Sequence, residues 1–311
     1  MKEIILKLKN SICEAVPERG ELGLLFSGGL DSSVLAAINP KMKAINVSLK
    51  TYGEDISYAS YLAEFLNLDY FRKEVEIEEA IEIIPEVIKL LKSFDPAIPN
   101  DMVVYFGLKK AKEMGIKEIL AGDGSDELFA GYSFMRKMDD LEEYIKRISS
   151  LMTFSSNDLA AHFNMHINQP FLNEYVIDLA VKMPREFKIK NENEQTWGKW
   201  ILRKAFEDML PKRTCWQTKR PLECGSGMDK IREVITSKVS DAEWKEEAQK
   251  LPIKFINKEH FYYYKVYQRV IGEIPKPGTE EKECPGCGAG MKVDAFHCKI
   301  CGCVLDWRET K

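Results

Sequence analysis

Leu22-Gly23-Leu24-Leu25-Phe26-Ser27-Gly28-Gly29-Leu30-Asp31-Ser32-Ser33-Val34-Leu35-Ala36-Ala37-Ile38 runs from an apolar stretch through a glycine turn into an apolar helix pattern. The apolar run, opening at Glu21 and bounded by glycine and serine, is the signature of a strand buried on both faces. A second such run, Lys43 to Val47, follows within a dozen residues, and Tyr70 to Val75 and Glu118 to Ala121 supply a third and a fourth. Helical periodicity separates them. It starts at Asp55, with Ile56, Ala59, Leu62, Ala63 and Leu66 on one face, and returns near Glu78 to Lys92 and Met102 to Met114. A further helix is expected from about Glu3 to Ala15, ending near Pro17. Strands alternating with helices predict an α/β fold, a parallel sheet sandwiched by helices. Ligands in such sheets bind beyond the carboxyl ends of the strands.

From about Phe134 the pattern is mostly helical, with periodic segments near Asp139–Ser149, Asn173–Met183, Gln195–Met209 and Asn257–Ile271. The aromatics Phe261, Tyr262, Tyr263, Tyr264 and Tyr267 fall at helical spacing and read as core or dimer packing rather than a base-stacking platform. No repeat of 20 to 50 residues is evident. The expected organisation is one large domain over 1–272 (α/β core about 18–133, helical part about 134–272), a Pro/Gly/Glu linker at 273–283, and a small unit at 284–306.

Of the 311 residues, 45 % are hydrophobic and 30 % charged, which excludes a disordered or collagen-like chain. The 45 Lys and Arg against 49 Asp and Glu leave a net charge of −4, so no global basic field advertises nucleic acid. No apolar run is long enough to cross a membrane, and the N-terminus carries charge too early for a signal peptide, so the expected location is cytoplasmic.

The heptad Ser27 to Ser33 places two glycines and three hydroxyls at a helix N-terminus, where backbone N–H groups and the helix dipole suit phosphate or pyrophosphate. Asp31 is a hard oxygen ligand for Mg²⁺. A Gly-Gly turn with an Asp/Ser cap would account for the loop taken alone. No G-x-x-x-x-G-K-[ST] is present. A second loop, Ala121-Gly122-Asp123-Gly124-Ser125-Asp126-Glu127-Leu128-Phe129-Ala130-Gly131-Tyr132, follows the fourth strand and brings three carboxylates to the same sheet edge. Three acids beside phosphates make sense with a divalent metal, or with a group that must lose protons.

The heptad resembles the pyrophosphate loop of the N-type ATP pyrophosphatases (the PP-loop superfamily), which cleave ATP to AMP and pyrophosphate while adenylating a substrate. The second loop is similar to the G-[ED]-G-x-D-E-x-x-x-G-Y signature of asparagine synthetase and β-lactam synthetase. Gln169-Pro170-Phe171-Leu172-Asn173, Gly198-Lys199-Trp200-Ile201-Leu202-Arg203, Leu210-Pro211 and Gln217-Thr218-Lys219-Arg220 resemble the asparagine synthetase C-terminal half in order and spacing. The likeness covers residues 15 to 272. It implies an ATP-dependent, AMP-forming ligase that makes an amide, with Ser27, Gly28, Gly29, Ser32 and Ser33 cradling pyrophosphate and Leu25, Val47 and Gly122 bordering the adenosine. Asp31 and Asp126 would hold Mg²⁺, Lys219 would neutralise the leaving group, and Asp123 would orient or deprotonate the second substrate.

Three departures qualify it. The chain opens into the synthetase-like part without the family's N-terminal glutaminase domain, so ammonia, a separate amidotransferase or another nucleophile is expected to serve. The family's Thr-Thr-x-Arg stretch is replaced by Phe94-Asp95-Pro96-Ala97-Ile98-Pro99-Asn100-Asp101, and the arginine before Pro-Phe-Leu by Asn168 or Gln169, which removes bidentate carboxylate donors and argues against aspartate as substrate. Asp123 stands where asparagine synthetases often have Glu.

Eight cysteines complete the reading, five of them crowded at the C-terminus. Cys284, Cys287, Cys298 and Cys301 make C-x2-C-x10-C-x2-C, which resembles a zinc ribbon with four thiolates around a structural Zn²⁺. His297 and Cys303 are read as bystanders. Such a unit could grip RNA, dock a protein or mediate self-association, so RNA and a homodimer stay open beside a small-molecule substrate. The competing readings are a PP-loop enzyme that modifies a tRNA base, and a non-catalytic ATP-binding module.

Overall fold

The computed structural model describes residues 1–18, 21–50, 56–192 and 194–308. Helix α1 (Lys2–Ala15) leads into strand β1 (Leu22–Leu25), followed by α2 (Leu30–Ile38), β2 (Lys43–Leu49), α3 (Ile56–Phe65), β3 (Asp69–Val75), α4 (Ile77–Leu91), α5 (Ile98–Glu113) and β4 (Glu118–Leu120). The expected helix start at Asp55 lies outside the described residues. A fifth strand, β5 (His166–Asn168), completes one sheet of order β3-β2-β1-β4-β5, parallel throughout. The chain builds outward from β1 through β2 to β3, then returns to the other side of β1 with β4. That reversal opens a crevice beyond the carboxyl ends of β1 and β4, the place where open α/β sheets bind ligands.

Helices close both faces of the sheet. Leu25 and Val47 lean towards α5, where a Cβ added to Gly107 would stand 2.7 Å from Leu25 Cδ2 and 3.6 Å from Val47 Cγ2. Apolar residues of α1 and α2, among them Leu8, Ile12, Val34 and Leu35, are fully buried in a separate cluster with Leu24 and Phe26. Beyond residue 134 most elements are short helices, as expected, and among the described residues no helix is long and apolar enough to cross a membrane.

Two elements differ from the expectation. His166–Asn168 is a three-residue edge strand, too short for a periodicity to show. The segment read as one helix over Gln195–Met209 is instead a strand, Gln195–Trp197, paired antiparallel with Lys190–Glu192, then a helix over Trp200–Phe206. The chain turns between them at Lys199, which takes a left-handed φ of 52°. Gln195-Thr196-Trp197 ends in β-favouring residues, and Gly198 packs so closely on Ala130 that a Cβ there would lie 2.2 Å from its carbonyl oxygen.

The aromatic stretch on helix Lys258–Val270 is core: Phe261, Tyr263, Tyr264 and Tyr267 are buried. Tyr264 and Tyr267 meet the ring of Phe94 edge-on at 5.3 and 5.2 Å. Within the segment read as linker, Glu281–Glu283 pairs antiparallel with Gly290–Lys292. The cysteine module that follows is anchored on the large domain. Phe94 N donates to Ile300 O at 2.7 Å, Lys254 N donates to Gly286 O at 2.8 Å, and Tyr144 packs on Phe296 and Trp307.

Candidate active site

Both signature loops leave the carboxyl ends of neighbouring strands, the first from β1 and the second from β4. Gly28 has φ +76°, and a Cβ there would lie 2.8 Å from the backbone of Ala59, so only glycine fits the turn. Gln217 Nε2 donates to Gly28 O at 2.9 Å and ties the loop to the segment carrying Lys219. Ser27 and Ser32 hydroxyls lie 3.2 Å apart, and both residues line the cleft. Ser33 is fully buried and donates its hydroxyl to Gly29 O at 2.6 Å, so it caps the loop from beneath.

The cleft between the loops has a volume of about 490 Å³. Leu25, Val47 and Gly122 border it, as do Asp31, Asp123, Asp126 and Lys219. Gly29 faces a narrower adjoining recess of about 70 Å³. The residues expected to hold ATP therefore converge on the cleft and its adjoining recess, apart from Gly28 and Ser33, which shape the loop from behind.

Its electrostatic centre includes a residue that sequence reasoning missed. Lys199, buried and raised by its left-handed turn, places Nζ 2.7 Å from both oxygens of Asp31 and 2.7 Å from Asp126 Oδ1. Lys219 Nζ reaches the other oxygen, Asp126 Oδ2, also at 2.7 Å. Ser125 Oγ donates to Asp31 Oδ1 at 2.7 Å. Burial alone would raise the Asp126 carboxyl, but Lys199 and Lys219 outweigh it and hold the pKa at about 2. Burial would lower Lys219, and Asp126 and Asp31 overcome that to raise it. Gly131 makes room for the cluster: a Cβ there would lie 1.9 Å from Asp126 Oδ1 and 2.4 Å from Lys199 Cε.

The other carboxylates of the cleft are treated differently. Burial pushes Asp123 upward and neighbouring Asp31 adds to the rise, against hydrogen bonds from Ser156 Oγ at 2.6 Å and Gln169 Nε2 at 2.9 Å. Asp101, on the segment that departs from the family pattern, is also pushed up by burial, to about 7; its bond from Ser155 Oγ at 2.6 Å opposes the shift. The consecutive residues Ser155 and Ser156 thus each hold one of the two acids. The cleft thus holds Asp126 low among lysines, while burial pushes Asp101 and Asp123 upward.

Asp31 and Asp126 face one cation across a few ångströms with hard oxygen donors, a set that fits Mg²⁺ as well as the ammonium now between them. In the cysteine module the four buried Sγ atoms of Cys284, Cys287, Cys298 and Cys301 lie within 4.8 Å of one another. Cys284 and Cys301 sulfurs stand 3.6 Å apart, and Cys287 and Cys298 3.9 Å. Tetrahedral bonds of about 2.3 Å place sulfurs about 3.8 Å apart, so the cluster can hold one metal ion.

A family model described as asparagine synthase matches residues 5–166 and 144–271. Among curated proteins, the chain is 28 % identical to a probable glutamine-hydrolysing asparagine synthetase of Dictyostelium discoideum, over 93 % of this chain and 59 % of that protein. It is 28 % identical to the nodule asparagine synthetase of Pisum sativum, over 90 % of this chain and 54 % of the relative. With asparagine synthetase B of Escherichia coli (strain K12) it shares 26 % identity, over 90 % of this chain and 55 % of the relative. The chain thus spans a little over half the length of these relatives. Among solved structures, a U34-tRNA thiolase, NcsA from Methanococcus maripaludis with its [4Fe-4S] cluster, aligns at a TM-score of 0.37 and 14 % identity, over 88 % of this chain and 82 % of that one. A likeness that weak carries no argument about activity.

Proposed function

The chain belongs to the asparagine synthase family, and from that premise we propose that it is an ATP-dependent, AMP- and pyrophosphate-forming ligase that makes an amide from a small-molecule acid other than aspartate. The observation that carries the proposal is the chain of charges Asp31–Lys199–Asp126–Lys219, which joins the glycine loop of β1 to the acidic loop of β4. Two carboxylates against two ammonium groups balance only while the cleft is empty of nucleotide. Mg²⁺ held by Asp31 and Asp126 would supply charge neutralisation of the triphosphate. Ser27, Gly29 and Ser32 would cradle the phosphates with Leu25, Val47 and Gly122 beside the adenosine.

An oxygen of the acceptor attacks the α-phosphorus, and pyrophosphate departs with its charge met by Lys219. Ammonia, or nitrogen delivered by a separate amidotransferase, then attacks the activated carbon, AMP leaves, and the nitrogen's surplus proton goes to Asp123. The raised carboxyl of Asp123 suits that exchange. In place of the Thr-Thr-x-Arg pattern, this cleft presents Asn100 and Asp101, neither of which offers the bidentate cationic donor that would pair a second carboxylate. The sulfur spacing supports a single Zn²⁺ for the cysteine module, because an iron–sulfur cluster interposes its own irons and sulfides between the thiolates.

The test is release of AMP and pyrophosphate from Mg-ATP on adding cell extract and ammonium, with Asp31→Ala as blank. Stimulation that survives RNase and requires a small metabolite is the expected result. Stimulation abolished by RNase would instead favour modification of an RNA base, with the cysteine module holding the RNA. Nucleotide binding without release in any arm would overturn catalysis.

A further inference from the structure

The recess beside the main cleft has more positive charge than its carboxylates answer. Its walls come from the glycine loop at Ser27, Gly29 and Asp31, from Lys199, and from Gln217 to Lys219. Lys199 is shared between Asp31 and Asp126, and Lys219 is bound to Asp126. Arg203 spends its guanidinium on backbone carbonyls, those of Gly198 and Gln217 at 3.0 Å each and that of Cys215. Arg136 borders both the recess and the cleft, and it differs from all of these. Its Nε is sealed from solvent with no acceptor, and no hydrogen bond or ion pair joins its side chain to any described residue. Its backbone is nonetheless pinned, because Arg185 donates to the carbonyls of Arg136 and Met138 while Met135 is fully buried. A sealed donor nitrogen with no acceptor is costly, and a half-buried guanidinium that lines the cleft without a partner is retained where a ligand brings the acceptor.

We propose that Arg136 is a ligand for the departing pyrophosphate, reaching the phosphate chain from the recess it shares with the glycine loop and sharing its charge with Lys219. The proposal rests on the ligase reading above. The recess assigns the anion: Arg136 shares it with the glycine loop and the two lysines, whereas Asp101 and Asp123 border only the main cleft. The fork of the guanidinium matches two oxygens of a phosphate group, which an ammonium cannot do.

Inorganic pyrophosphate and AMP are the probes, titrated separately by calorimetry into the full-length chain at fixed Mg²⁺. Arg136→Gln is expected to weaken pyrophosphate binding about 10- to 100-fold while leaving AMP within about twofold of wild type. Arg136→Lys keeps charge and stem and is expected to lose several-fold, which keeps the test open if Arg136→Gln folds poorly. Pyrophosphate binding unchanged in both variants overturns the role of Arg136 and leaves the ligase reading standing. Loss of AMP affinity without loss of pyrophosphate affinity also overturns it. A wild-type protein that binds neither pyrophosphate nor Mg-ATP overturns both.

Discussion

The ammonium of Lys199 sits 2.7 Å from Asp31 and 2.7 Å from Asp126, bridging carboxylates from two loops that meet only in the folded sheet. Its side chain is 3 % exposed, so the ammonium itself is shielded from water while both carboxylates still border the cleft. Replacing Lys199 with Met should leave two buried carboxylates facing one another and cost about 3–5 kcal/mol, read as a lower urea midpoint. Millimolar Mg²⁺ should restore part of that loss in the variant and add little to the wild type. A variant that unfolds at the wild-type midpoint would mean that the bridge holds nothing together.

Lys219 shares Asp126 with Lys199 but is partly exposed at the cleft mouth. Lys219→Ala should cut AMP and pyrophosphate release at least 100-fold and shift thermal unfolding little, since charge on the leaving group develops only in the transition state. Equal turnover in wild type and variant would remove Lys219 from the chemistry.

Gly131→Ala should act on activity and stability together. The added methyl would stand 1.9 Å from Asp126 Oδ1, so Asp126 must move and the lysine contacts with it. We expect a loss of about 1–3 kcal/mol in denaturant unfolding together with loss of turnover, the cost of overpacking at a site with no slack.

Asp101 gives a pH signature. Its native pKa of about 7 lies above the ordinary carboxylate value, so between pH 4 and 7 the native state keeps a proton that the unfolded chain has released. Stability from this group is therefore greatest below about pH 4 and declines as pH rises towards 7. Asp101→Asn removes that decline. The stability difference between variant and wild type should widen from pH 5 to pH 7.5 in favour of Asn, by about 2–3 kcal/mol, in urea titrations across that range. A difference that is flat with pH would show that Asp101 titrates normally.

Metal removal should be felt outside the cysteine module. Ser93 Oγ and Phe94 N both donate to Ile300 O, Arg147 donates to the carbonyls of Asp294 and Trp307, and Arg308 pairs with Asp140. The module thus holds two segments, around Ser93–Asp101 and Tyr132–Arg147, that also contribute Asp101, Tyr132 and Arg136 to the cleft. Chelation or Cys298→Ser should speed amide exchange in both segments and leave β1 and β2 protected. Faster exchange confined to residues 281–308 would show the module to be an appendage.

How far the sequence could be read followed the range of each signal. Strands β1 to β4 and the helices between them were legible because periodicity and turn residues act within a few positions. Asp31 and Asp126 stood out because glycines framed each on a short loop. Lys199 did not: the segment around it reads as helix, and its partner Asp31 lies 168 residues away. Asp101 was noticed only as a departure from a pattern, since its neighbour Ser155 is 54 residues distant.

By itself the sequence determined the kinds of chemistry: a phosphate-suited glycine turn, acids on the same sheet edge and four cysteines at knuckle spacing. All are local, because each depends on residues close enough along the chain to share one turn. Only the tertiary structure decided which lysine neutralises which carboxylate, which carboxyls burial pushes upward, and that the Arg136 side chain finds no partner among the described residues. Those outcomes depend on burial and on distances between elements far apart in the chain, which spacing along a sequence does not encode.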